Sequence, residues 1–400
     1  MKTLDEIERA HGALTAIRRD IHAHPELAFE ETRTSALVAE KLREWGIEVH
    51  TGFGKTGIVG VLQGTGGKGK TIGLRADMDA LPMPENNRFA HKSTISGRMH
   101  GCGHDGHTTM LLGAAQYLSR HRDFKGTVVF IFQPAEENGN AGARAMMQDG
   151  LFDKFPCDAV FGIHNMPGMP ANEFGIRSGP TMASSNRFTI TIKGVGGHAA
   201  QPHKTVDTIV IASEMVGVLQ SVVSRTKNPL DTAVLTVTQI HAGDSFNVIP
   251  AEAVIRGTVR TYTTEVLDLM EDTIRRIATT LPQVYGGSGE LDFVRAYPPL
   301  VNWEKETEFA AQVAEAAFGK ESVNRAVPPF MGAEDFSFYL EKVPGCYIFL
   351  GNGEGDHRLE SYHGMGPCTL HNPNYDFNDA LLPVGATYWV KMVQTFLAQA

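Results

Sequence analysis

The stretch Gly126-Thr127-Val128-Val129-Phe130-Ile131-Phe132-Gln133-Pro134-Ala135-Glu136-Glu137 decides the fold class. From Thr127 to Phe132 the run is almost wholly apolar, with no alternation, and Gly126 and Pro134 close it. Such a run reads as a strand buried on both faces, the kind a parallel sheet covered by helices requires. Two carboxylates follow at once, at the strand end where α/β folds gather their sites. Working outward, 57–62, 71–74 and 159–163 are further short β-like runs. Between them lie helical patterns. Leu4, Ile7, Leu14, Ile17 and Ile21 form one apolar stripe that Pro25 ends. A second helix is expected over 34–45, closed by Gly46. A third starts after Asp105 and runs through Met110, Leu111 and Tyr117, and a fourth covers 141–147. Strands alternating with helices predict an α/β fold with a largely parallel sheet.

The pattern changes near Ser184. Phe188, Ile190 and Ile192 alternate with polar residues, so this strand is half-exposed. A helix over 206–223, strands over 232–240 and 253–261, a helix over 265–281 and a strand over 291–296 follow. That order, βαββαβ, is the ferredoxin-like split unit. After Pro298 the chain returns to a helix (306–318), a strand (346–350) and a last helix (381–397). The expected organisation is a discontinuous larger domain, 1–184 with 297–400, and an inserted domain, 185–296. The Gly-rich piece 64–69 reads as a tight turn between strands.

The 400 residues are 42% hydrophobic and 20% charged, an ordinary globular balance, with a net charge of −9. Without a basic run, nucleic acid is not an expected partner. No run of ~18 apolar residues stands out, so no membrane span is expected. The charged, amphipathic N-terminus lacks the pattern of a secretory signal. Cys102, Cys157, Cys346 and Cys368 show no disulfide framework. A reducing cytoplasm is the expected address, and a small molecule the expected substrate.

Histidines cluster in Met99-His100-Gly101-Cys102-Gly103-His104-Asp105-Gly106-His107. Thiolate and imidazole are ligands for borderline divalent metals. Cys102 and His104, two apart, would point to the same side of an extended loop. Adjacent Glu136 and Glu137 can divide labour, one binding metal while the other takes a proton from water. His164 follows the 159–163 strand, and His371 stands in Leu370-His371-Asn372-Pro373. Cys102, His104, Glu137, His164 and His371 are too many for one tetrahedral site. With one shared ligand they fit two metals ~3.5–4 Å apart. In the inserted domain, His198 lies in a Gly-rich turn at a strand end, and Arg260 offers a fork suited to a free carboxylate.

These motifs carry a resemblance across nearly the whole chain. The stretches 18–27, 74–82, 99–107, 133–137, 162–165, 197–202, 247–250, 332–336 and 370–371 resemble the peptidase M20 superfamily. They match its aminoacylase/hippurate hydrolase branch, which also holds plant auxin-conjugate hydrolases. The resemblance implies a catalytic domain with an inserted ferredoxin-like lid that forms a homodimer or higher oligomer. It implies that Cys102 bridges two divalent ions completed by His104, Glu137, His164 and His371. Glu136 becomes the general base, and His198 stabilises an oxyanion in the partner subunit's site. Asn247 and Arg260 are placed near the substrate carboxylate. Zinc and manganese lead as metals, with cobalt and nickel as further candidates. The implied reaction is hydrolysis of N-acyl amino acids, N-benzoyl or N-acetyl. A carboxypeptidase or dipeptidase, a biosynthetic deacetylase such as one for N-acetyldiaminopimelate, and a non-catalytic metal binder are the alternatives. One departure stands out. Arg75-Ala76-Asp77 replaces the His-x-Asp common in M20 peptidases, and Arg75 cannot ligate a cation. Asp77 and Asp79 then read either as supporting residues or as a structural strand-end turn, and His22 and His24 match the branch's motif with no chemical role assigned.

Overall fold

The computed structural model describes residues 2–358 and 366–399. The chain divides into two compact units, one of 1–179, 301–328 and 335–400, the other of 180–300 and 329–334.

The first unit is built on an eight-stranded sheet. Its centre is four mutually parallel strands in the order Thr127–Gln133, Thr71–Asp77, Ala159–Pro167, Gly345–Gly353. The first of these is the opening run, and Val128 to Phe132 are all buried. The hairpin Glu48–Phe53 and Gly57–Gln63 extends one edge antiparallel, and the short strands Phe174–Gly175 and Val323–Asn324 close the other. Register aligns Asp77 with Gln133. The loops after these strands therefore start at one edge of the sheet.

The helix His104–Arg120 is buried around most of its circumference and packs on His11–Ala23 and Leu382–Ala398. The expected N-terminal helix is two, Asp5–Arg9 and His11–Ala23. The ladder slips at Ala10, whose N–H is shared between the carbonyls of Glu6 and Ile7. The strand Glu48–Phe53 went unread because it is a polar, mostly exposed edge strand with no apolar alternation.

In the second unit the strands Ser185–Lys193, Ala233–His241, Glu252–Thr261 and Ser288–Tyr297 form one antiparallel sheet, and in chain order they lie 2-3-1-4. That is the ferredoxin-like arrangement, with Thr208–Ser221 and Thr264–Val284 as its helices. The segment Thr208–Thr226 is long and apolar enough, by length and composition alone, to cross a membrane, at a mean hydropathy of 1.2, though it is not the unbroken apolar run that the sequence lacks. Its Ile211, Ala212, Met215, Leu219 and Val222 belong to this unit's core.

Phe130 is fully buried in the central parallel strand. Phe130→Ala should lower the unfolding free energy by about 3–5 kcal/mol, read by denaturant melts. A loss below about 1 kcal/mol would contradict this placement.

Candidate active site

Cys102, His104, Glu137 and His164 are all buried at the sheet edge, and His371 joins them from a more exposed loop. Five overlapping donor groups form there among the described residues, and two of them contain Cys102. Cys102, His104 and His164 offer ligand atoms within 4.8 Å of one another, and so do Cys102, Glu137 and His371. Cys102 is common to both. Its Sγ lies 3.3 Å from His164 Nε2, and His371 Nε2 lies 3.2 Å from Glu137 Oε1. His371 sits at φ 59°, in the left-handed region costly for a residue with a Cβ.

Local geometry differs from the extended loop expected around Cys102. Gly103 has φ 96° and caps the helix that His104 opens. A Cβ at Gly103 would fall 2.2 Å from Asn165 Nδ2 and 2.5 Å from the Tyr375 hydroxyl, so only glycine fits this turn. Asn165 Nδ2 donates to the Cys102 carbonyl at 2.7 Å, and the Tyr375 hydroxyl donates to Asn165 Oδ1 at 2.6 Å. Together they fix the thiol's backbone.

Ring orientation follows from the carbonyls, which only accept. His104 Nδ1 donates to the Asp79 carbonyl at 2.8 Å and His164 Nδ1 to the Asn165 carbonyl at 2.6 Å. In each ring Nε2 is left as the nitrogen that could coordinate a metal ion. His107 is different. Its Nε2 accepts from the Asn165 N–H at 2.9 Å and its Nδ1 meets Asp77 Oδ1 at 2.6 Å, so both nitrogens are spent on scaffolding.

The electrostatics favour a cation. Burial first, then Glu137 and Glu136, holds the Cys102 thiol well above its usual range. Burial opposes a charge on His104, yet Asp77 and Asp79 outweigh it and lift its pKa to about 10. His104 Nε2 nevertheless has no hydrogen-bond partner among the described residues. Burial and the neighbouring His107 push His164 well down, so it stays a neutral donor. A buried thiol, three imidazoles and paired carboxylates, with an unpartnered ring nitrogen among them, fit divalent metal ions.

Sequence reasoning read Asp77 and Asp79 as supporting residues but missed the buried charges that partner the site's acids. Arg75, fully buried, donates to Asp77 Oδ2 at 2.7 Å, Gln133 Oε1 at 2.9 Å and Asp335 Oδ1 at 3.1 Å. His22 meets Asp105 Oδ2 at 2.9 Å and Glu85 Oε1 at 3.2 Å, while Arg18 donates to Asp376 and Asp379. Asp105 therefore turns to His22 and Arg18 (3.4 Å). His24, half-exposed, meets the Asp20 carbonyl at 2.8 Å and the Asp20 carboxylate at 3.5 Å. The sole advance signal for His22 was its place in the 18–27 motif.

In the second unit, described by itself, His198 is exposed on the two-residue strand Gly197–His198 and pairs with Val248. Asn247 is exposed beside it, its carbonyl accepting from the Ala199 N–H at 3.0 Å. Arg260 is partly buried on Glu252–Thr261, and burial lowers its pKa.

A mostly parallel α/β unit with paired metal-donor groups at its strand ends defines the class of metallopeptidase-like hydrolases. The chain belongs to peptidase family M20/M25/M40, whose model matches residues 73–395. It is 42% identical over 397 residues to a hippurate hydrolase of Campylobacter jejuni, covering 99% of this chain and 100% of that one. It is 38% identical over 386 residues to an N-acetylcysteine deacetylase of Bacillus subtilis, covering 96% of each. Among solved structures, the YXEP protein of Bacillus subtilis, described as a dinuclear metal-binding peptidase of the M20 family, superposes with a TM-score of 0.84. The two are 33% identical, with 98% of this chain and 99% of that chain covered.

Burial disfavours the His22 imidazolium, but Asp105 and Glu85 more than compensate and raise its pKa to about 10 from 6.5. The folded state then holds a proton that the unfolded chain releases near pH 6.5. This stabilisation is complete below pH 6.5 and is lost as pH rises towards 10. Wild-type stability should fall by roughly 2–5 kcal/mol more than that of His22→Gln between pH 6 and 10. Parallel slopes in denaturant melts would refute the buried imidazolium.

Proposed function

We propose that this metal-dependent amidohydrolase cleaves the amide bond of N-acyl amino acids, giving a carboxylic acid and a free amino acid. The observation that carries the reading is the pair of donor groups sharing Cys102, with Glu136 beside them. Cys102, His104 and His164 would hold one divalent ion, and Cys102, Glu137 and His371 would hold a second. Thiolate favours zinc, and carboxylate and imidazole also suit manganese. When bound, the ions supply Lewis acidity that polarises the scissile carbonyl and lowers the pKa of water.

The chain's own residues do the rest. The Glu136 carboxylate takes a proton from the attacking water and passes it to the leaving nitrogen. Glu136 is 7% exposed, so bulk water competes little for that proton. His198 is donated across a homodimer and stabilises the tetrahedral oxyanion. Asn247 and the Arg260 guanidinium hold the free carboxylate of the substrate. Residues 185–296 serve as lid and dimerisation domain, with 1–184 and 297–400 catalytic. Supporting this are the exposed His198 and the edge strand Ala233–His241, which leaves Val234 and Ile240 exposed, with Ile209 and Val210 of the neighbouring helix. A reducing cytoplasm suits Cys102, since all four cysteines are free thiols.

The test is a hydrolysis screen of N-benzoyl and N-acetyl amino acids and dipeptides, with the protein reconstituted separately with each metal. Exclusive turnover of unacylated dipeptides would favour a dipeptidase instead. Glu136→Gln should keep its metal and lose about 10²–10⁴-fold in kcat; near-normal turnover would remove Glu136 from the base role. Chelation should abolish activity and added metal restore it.

A further inference from the structure

Asp79 lies just past the end of the Thr71–Asp77 strand and is 1% exposed. Three hydrogen bonds converge on it. The Glu136 N–H donates to Oδ1 and the Glu137 N–H to Oδ2, each at 3.0 Å. The Asp79 backbone carbonyl accepts from His104 Nδ1 at 2.8 Å. One residue thus touches the backbone of the general-base loop and the ring of a proposed ligand from a different loop.

Carboxylate shape explains the choice of residue. Its two oxygens are coplanar and equivalent, so they receive two successive N–H groups that point the same way. Glu31 continues the pattern one residue earlier, its Oε1 accepting from the Ala135 N–H at 2.9 Å. Ala135 has φ 55°, a conformation that costs a non-glycine residue and needs outside support. Buried N–H groups at 135, 136 and 137 are all satisfied by carboxylates rather than by regular structure.

We propose that Asp79 is a positioning residue that sets the Glu136–Glu137 loop relative to His104, and so selectively supports the donor group containing Glu137. This rests on the ligand reading above. The shorter His104 contact, at 2.8 Å, uses the main chain and survives side-chain removal, while the longer one from His104 Nδ1 to Asp79 Oδ1, at 3.3 Å, is lost, so the Cys102–His104–His164 group should be weakened far less than the group containing Glu137. Partners of this kind change metal affinity or activity by about 10–100-fold when removed.

The experiment is a titration of the metal-free protein with Co²⁺, followed by the thiolate charge-transfer and d–d absorption bands. Wild type and Asp79→Ala are compared, with Asp79→Asn as the conservative variant. Wild type should bind two equivalents. Asp79→Ala should bind one within about threefold of wild type and the other about 10–100-fold more weakly. At saturating Co²⁺ its kcat should fall at least about 10-fold with KM within about twofold, and Asp79→Asn, which keeps one acceptor oxygen, should fall between. Unchanged binding of both equivalents, or equal weakening of both, would overturn the proposal, the latter marking a merely structural role. A wild type that binds fewer than two equivalents would instead count against the ligand reading. Should Asp79→Ala not fold, hydrogen exchange in the wild type decides. The Glu136 and Glu137 amides should be strongly protected, and exchange at exposed-loop rates would overturn the inference.

Discussion

Two buried aspartates, Asp77 at the end of a parallel strand and Asp79 just past it, need hydrogen-bond donors in place of water, and much of the site is organised around that constraint. Asp77 is held well below the usual carboxylate range: burial opposes its charge, but His104, Arg75 and His107 outweigh burial. Asp79 takes its hydrogen bonds from the main chain of the Glu136–Glu137 loop. The Thr108 hydroxyl closes on the Asp77 carbonyl at 2.7 Å, binding the His104–Arg120 helix to the same strand end. The loop after Thr127–Gln133 and the helix His104–Arg120 are thereby referenced to one short segment. A desolvated carboxylate tolerates little loss of donors, so this segment resists drift in the residues it positions.

Arg75 shows how a substitution in the family pattern is absorbed. A histidine there could offer a ligand nitrogen; the guanidinium instead bridges Asp77, Gln133 and Asp335. The metal donors proposed instead, Cys102 and His104, come from the following loop and helix start, where Gly103 lets the chain pass close to Asn165 and Tyr375. The surplus of carboxylates around a buried thiol becomes favourable once divalent cations share the space. Behind this layer, Arg18 and His22 neutralise Asp105 and Asp376 and tie the second N-terminal helix to the start of the His104–Arg120 helix.

Much of this was legible in the residues. The unbroken run 127–132 announced a doubly covered strand, and the change to alternation at Phe188 announced a sheet with one open face. The metal donors were legible because cysteine, histidine and paired carboxylates are chemically conspicuous. What escaped was whatever depends on distance in space. Asp79 read equally as a supporting residue or a strand-end turn, since its partners are backbone N–H groups 57 and 58 residues later. His22 and Glu85 are separated by 63 residues and become partners only after burial. The Cys102–His104 pair was found for the right residue types but by the wrong local geometry, because a left-handed Gly103 replaces the extended loop. Periodicity reads faces; it does not read which buried charge finds which donor.

The central claim is that Cys102 serves both donor groups. X-ray absorption at the metal edge, on protein loaded with two zinc ions per chain, tests it most directly. A shared thiolate gives each ion one sulfur neighbour, so the average should be one sulfur per zinc. An average of half a sulfur per zinc would mean that Cys102 serves one ion alone, and none would remove it from the site, either result contradicting the account.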